Sequence, residues 1–228
     1  LKIVTAFFDS TGQYKRLLNV FKLSAKKYMP KIDIEVIPIV PPEKSNHHFD
    51  TYYGFMPAAK YAYVSHHSLA IADCDLMFNG SITDVWEYEF DLAFTVRDKP
   101  KYNTGLWFCR ATKKAKLFIK DWIDNTNMLI EYFYENEDIV NYHYGIDQAS
   151  LAMTIEMHDD VKIKELPCQI WNAEQTNWRL VDHNTKVIHI KSGLRDLLLN
   201  NYILKKKHFY LRPIIDKWRA FDGNTKRS

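Results

Sequence analysis

The chain has 228 residues, 46% of them apolar and 26% charged, which fits one compact domain with a sizeable core and excludes a disordered chain. Its 31 basic and 28 acidic residues leave a net charge of +3. That near balance argues against a nucleic-acid partner, whose binding face is dominated by Lys and Arg, and no apolar run approaches the ~20 residues of a transmembrane segment.

In chain order, residues 2–8 read as a first strand. A helix follows, with Ser10 or Thr11 as N-cap and Tyr14, Leu17, Leu18, Phe21, Ala25 and Tyr28 on one stripe, and Pro30 ends it. Residues 32–40 read as a second strand and residues 41–50 as a polar loop. Pro57 fits the first position of a helix running toward His66. Leu69-Ala70-Ile71-Ala72 is a short apolar run of the buried parallel-strand type. Residues 91–96 and 104–109 make two more strands. Ala111, Ala115, Phe118, Ile119 and Trp122 mark an amphipathic helix, residues 147–157 a shorter one, and residues 186–190 a late strand. This order predicts an α/β sandwich in which ligands sit beyond the carboxyl ends of the strands. Residues 1–200 are expected as one domain, and residues 201–228 as a helical, basic tail.

Cys74, Cys109 and Cys168 are few and scattered, which favours reduced thiols and a cytoplasmic setting. The basic run at residues 205–208 reads as a solvated surface, with peripheral contact to an anionic acceptor or membrane as the alternative. The pairs His47-His48 and His66-His67 lack further ligands at zinc spacing and read as surface.

Asp73-Cys74-Asp75 follows the buried run directly. Two carboxylates at spacing two, leaving a strand tip together, suit a hard divalent cation whose shell a diphosphate can complete. Such pairs also arise by chance, and the flanking apolar residues and the Asn79-Gly80 turn signal give this one its weight.

The stretch LAIADCDLMFNGSITDVW at residues 69–86 resembles the metal-binding segment of glycosyltransferases with the GT-A fold, a Rossmann-like mixed sheet flanked by helices. Three further segments resemble the same superfamily in the same order: Tyr102-Asn103-Thr104-Gly105, Gly145-Ile146-Asp147-Gln148 and Val187-Ile188-His189-Ile190. Retaining enzymes of family eight are most similar. Their late His-x-x-Gly-x-x-Lys reads here His189-Ile190-Lys191-Ser192-Gly193-Leu194-Arg195, with Gly193 one place late and Arg195 in place of Lys.

The resemblance implies a sugar-nucleotide donor, a UDP-sugar rather than a GDP-sugar, a glycan or other hydroxyl acceptor, and Mn²⁺ or Mg²⁺ as cofactor. It implies Asp73, Asp75 and His189 as metal ligands and Asp147, Gln148 and Asn103 around the reacting sugar. Thr5, Ala6, Phe7, Cys74 and Gly193 are implied at the donor, with Lys191 or Arg195 meeting the diphosphate. Asp9 fits a base or ribose contact or a plain helix start, and Lys60 a phosphate contact or a solvated helix face. Trp171 and Trp178 are candidates for an acceptor floor, or core residues. Retention would follow from the Asp147-Gln148 and His189 matches, whereas inversion would need a base such as Asp98, Glu174 or Asp182. The competing readings are an Asp-x-Asp phosphohydrolase, a nucleotidyltransferase, whose glycine-rich loop after strand one is not matched, and a non-catalytic sugar-nucleotide or glycan-binding module.

Overall fold

The computed structural model describes residues 1–9, 12–39, 50–135, 145–200 and 206–223. The expected caps Ser10 and Thr11, the loop at 41–49 with His47-His48, Lys205 of the tail's basic run and the polar end at 224–228 lie outside the described residues. Six strands form one sheet: β1 (Lys2–Phe7), β2 (Asp33–Pro38), β3 (Leu69–Ala72), β5 (Leu92–Val96), β6 (Tyr102–Cys109) and β7 (Ile163–Pro167). Their order is β2-β1-β3-β6-β5-β7, with β6 antiparallel to both neighbours and all other pairs parallel. Two short strands, β4 (Leu76–Phe78) and β8 (Val187–His189), pair with each other alone.

The central strands are buried on both faces, and their alternation sorts side chains between two cores. Ile3, Ala70, Ala72, Ala93, Leu106 and Phe108 meet α1 (Gln13–Tyr28) on one side. On the other, Val4, Ile71, Phe94 and Trp107 meet α2 (Asp50–Val64) and α3 (Lys113–Glu135). The Trp122 indole of α3 donates to the Asp147 carbonyl, 2.9 Å away, and so seats the first turn of α4 (Ile146–Met157). Two shorter helices follow, α5 (Cys168–Trp171) and α6 (Ser192–Leu199).

Several expectations need correction. Pro57 lies inside α2 rather than at its first position. An interior proline costs ~3 kcal/mol. Burial of Phe55 and Met56 ahead of it, at about 1.5–3 kcal/mol each, offsets that and extends the helix upstream. Gly145 takes the cap position of α4, so Asp147 lies within the first turn. β7 has only Leu166 buried, and as a polar edge strand it gives little periodic signal. Trp171 and Trp178 are both 4% exposed, so they are core residues and not a platform for an acceptor. The last helix, α7 (Arg212–Asp222), packs Ile214, Ile215 and Trp218 into a third core with Leu17 and Val20 of α1. The Arg16 guanidinium fastens it by two bonds to Asp222, of 2.7 and 3.2 Å. Among the described residues no helix is long and apolar enough to cross a membrane.

Candidate active site

Backbone hydrogen bonds bring the acidic pair and the distant histidine together. The Asp73 N–H donates to the Gly105 carbonyl (2.8 Å), which anchors the end of β3 against β6. The chain then turns into β4, whose antiparallel register sets Leu76 opposite His189, and the Ile190 N–H donates to the Asp75 carbonyl (2.9 Å). Those two short strands place the imidazole Nε2 3.1 Å from Asp75 Oδ1 and 3.6 Å from Asp73 Oδ2. One ligand atom from each of Asp73, Asp75 and His189 falls within 4.8 Å of the others.

The two carboxylates differ in surroundings. Asp75 is buried, and although desolvation opposes its charge, the His189 ring and the Arg195 guanidinium outweigh that and hold it below the usual carboxylate range. Arg195 donates to Asp75 Oδ2 (2.5 Å) and to the Tyr14 hydroxyl (2.6 Å). Asp73 leaves about half of its side chain exposed (52%) toward the cleft, yet desolvation and then the Asp75 charge push its carboxyl up to about 7.

The floor beneath the cluster is Gly105. A Cβ there would stand 2.7 Å from His189 Cε1 and 3.0 Å from Asp73 Oδ2, so only glycine leaves room for the three groups to converge. The buried His189 Nδ1 has no hydrogen-bond partner among the described residues. Two carboxylates and an imidazole at this spacing form a donor set that fits a divalent cation.

The facing wall is a network of side chains. The Asp147 carboxyl is 3% exposed, accepts the Thr104 hydroxyl at one oxygen, and has no partner at the other among the described residues. Burial raises its pKa, with the Thr104 bond opposing. Gln148 accepts from Arg97 at 3.0 Å through its side-chain oxygen, and Arg97 also donates to Glu174 at 2.5 Å. Lys191 closes on the same Glu174 oxygen, and the Asn103 amide lies 3.4 Å from it. Desolvation works against the charge of Glu174, but bonds from Arg97 and Lys191 win and hold its carboxyl low. Asn103 is 2% exposed, and its oxygen accepts the Gly105 N–H (2.9 Å) and the Asn172 amide (3.1 Å). It supports the floor and has almost no surface for a ligand.

The remaining sequence candidates fall into three groups. Ala6 and Phe7 are half-buried at the tip of β1, whereas Thr5 is fully buried beneath them. Asp9 accepts the N–H groups of Tyr14 and Lys15 at 3.4 and 3.1 Å, a helix-start role. Cys74 packs its side chain against the core between the two aspartates. Lys60 lines a groove of about 470 Å³ with Glu35, Ile37 and Pro38 of β2, whose last two residues pair with Ala6 and Phe7 of β1. Gly193 is exposed, with an open site around a Cβ, and the positive φ of the segment (50°) belongs to Ser192. The left-handed residue thus sits three after His189, where the family-eight pattern has glycine. The one-residue offset of Gly193 is a difference of side chain, and Arg195 keeps the position of the pattern's Lys.

Sequence reasoning missed Arg97, Thr104, Gly105 and Tyr14 as parts of the site. Thr104 and Gly105 lay inside the matched Asn103-Thr104-Gly105 segment and were legible there, but Arg97 and Tyr14 carry no local signal.

A central sheet with one reversed strand and an acidic cluster at the end of β3 defines the GT-A type of α/β fold. No family model matches the chain, and no curated protein matches it by sequence. Among solved structures, the galactosyltransferase LgtC, in complex with donor and acceptor sugar analogues, superposes with a TM-score of 0.63 at 13% identity. That match covers 100% of this chain and 97% of LgtC. A glycosyltransferase involved in glycosylation of the major capsid of PBCV-1 gives a TM-score of 0.60 at 12% identity, over 87% of this chain and 98% of that one. GlyE of Streptococcus pneumoniae TIGR4 gives 0.57 at 17% identity, over 97% of this chain and 62% of GlyE. At these identities the likeness is one of fold.

Proposed function

We propose that this protein transfers a hexosyl group from a nucleoside-diphosphate sugar, with UDP as the nucleotide, to a hydroxyl of a glycan or similar acceptor. The convergence of Asp73, Asp75 and His189 on one point, over a glycine floor, carries this reading. These three side chains would hold Mn²⁺ or Mg²⁺, which supplies charge stabilisation to the departing diphosphate without a proton donor. Arg195 orients Asp75 and adds positive charge beside the leaving group, where electrostatic stabilisation counts most. Ala6 and Phe7 line the nucleotide side.

Asp147 and Gln148 face the reacting sugar. The Asp147 oxygen without a partner among the described residues is suited to a sugar hydroxyl. Transfer with retention at the anomeric carbon is favoured by the state of two of the three alternative bases, the third, Asp98, being exposed. Glu174 is tied to two cations, and Asp182 accepts the N–H groups of Asn184 and Thr185 in a turn, so neither is a free proton acceptor.

Turnover of UDP- and GDP-sugars with Mn²⁺, wild type beside Asp75→Asn, tests the reading. Donor turnover that falls on the order of 100-fold in the variant supports it. Hydrolysis of simple phosphomonoesters, or nucleotide binding without turnover of any donor, would replace it with the hydrolase or the binding module.

A further inference from the structure

Glu174 joins three parts of the cleft that are far apart in sequence. Its own position is set by Ala173, which bridges to Ile188, accepts the His189 N–H (2.8 Å) and donates to Val187 (2.9 Å). The backbone that fixes His189 therefore also fixes Glu174. From there one carboxylate oxygen receives Arg97, beyond the end of β5, and Lys191, just past β8, while the Asn103 amide at the start of β6 lies nearby. Glu174 is 4% exposed, so water competes little for these bonds. Arg97 has a second arm, and that arm ends on the Gln148 side-chain oxygen at 3.0 Å.

A glutamine side chain in an open cleft rotates about three bonds, and productive geometry demands that it be held. The planar guanidinium can donate to two acceptors from one rigid fork, which an ammonium cannot do. The fork is held by its remaining nitrogens, Nη1 on the Glu174 carboxylate and Nε on the Pro100 carbonyl (3.1 Å). Gln148 itself is half-buried on the first turn of α4, and its side-chain oxygen has Arg97 as its partner among the described residues.

We infer that Arg97 is a positioning residue that acts through Gln148, fixing its carboxamide in the cleft while Glu174 and the Pro100 carbonyl hold Arg97. The inference rests on the transferase reading above. It adds that sequence-distant Arg97 governs the rate of the chemical step and leaves binding of the nucleotide to the opposite wall.

Four proteins test it: wild type, Arg97→Lys, Gln148→Ala and the double variant. Arg97→Lys keeps a cation against Glu174 and so spares the fold, but it loses the second arm. With a UDP-sugar and Mn²⁺, kcat should fall about tenfold in Arg97→Lys with the donor KM changed by less than about threefold. The same substitution in the Gln148→Ala background should change kcat by less than about twofold, because its target is gone. Independent losses that multiply would overturn the inference while the transferase reading stands. The Gln148 amide resonances, identified by their absence in Gln148→Ala, give a readout that needs no turnover. They should move in Arg97→Lys, and unmoved resonances would also overturn the inference. A wild type that turns over no sugar nucleotide would defeat the transferase reading, and the inference with it.

Discussion

The two walls of the cleft are held by different forces. Asp73, Asp75 and His189 sit on backbone segments hydrogen-bonded to one another through β3–β6 contact and the β4–β8 ladder. The first turn of α4 with Asp147 and Gln148 is tied to Glu174 by side chains, with Arg97 as the connecting cation and Lys191 on the same carboxylate. A backbone ladder fixes positions regardless of protonation, and it fails only when a strand cannot keep its place. A side-chain network of buried charges fails when one charge is removed, because the partners are left in low dielectric without compensation.

The largest expected effect comes from disturbing the ladder wall sterically. Gly105→Ala puts a Cβ 2.7 Å from His189 Cε1, on a strand paired on both sides. The imidazole must give way, and a shift of this kind costs on the order of 100-fold in turnover. Calorimetric titration with Mn²⁺ should show the loss as weakened cation binding with the fold intact by circular dichroism. Unchanged affinity would mean that the floor is not needed.

Glu174→Gln attacks the other wall. Leaving Arg97 and Lys191 without a counter-charge should destabilise the protein by about 2 kcal/mol, read from denaturant unfolding at pH 7. The pH dependence has a definite sign. The folded-state pKa of Glu174 is depressed, so its stabilisation is present above the ordinary glutamate value of 4.5 and is lost as pH falls through the lower folded value. The gap between wild type and variant should therefore narrow on acidification. A gap independent of pH would show that shape, and not charge, holds this wall.

The smallest effect lies at the edge of the ladder wall. Ser192 adopts φ 50° where a side chain is strained. Ser192→Gly should raise stability by about 0.5–1 kcal/mol, seen as a higher midpoint in urea, with cation binding unchanged. A loss of stability would mean that the serine side chain makes up for the strain.

Much of this architecture was legible in the sequence. The central strands are short apolar runs with period two, and Leu69-Ala70-Ile71-Ala72 could hardly be read otherwise. The acidic pair was visible because it follows that run directly, and His189 entered through the resemblance of the segment at residues 187–190 to GT-A enzymes. Asp147 and Gln148 were named through the resemblance of the segment at residues 145–148 to GT-A enzymes and not through periodicity. Thr5 and Asn103 are buried and Asp9 accepts backbone N–H groups, so their polar atoms serve the fold. Spacing along a chain reports position along an element, and it does not report which way a side chain is engaged.

The amino-acid sequence by itself determined the order of strands and helices, the chemistry at the tip of β3 and the kind of cation that chemistry suits, because local periodicity and residue type decide these. Only the tertiary structure decided that Glu174 is clamped by Arg97 and Lys191 and that Arg97 reaches Gln148. Those outcomes depend on contacts between residues dozens of positions apart (Arg97 and Glu174 are separated by 77), and the energy of a buried charge is set by its neighbours in space.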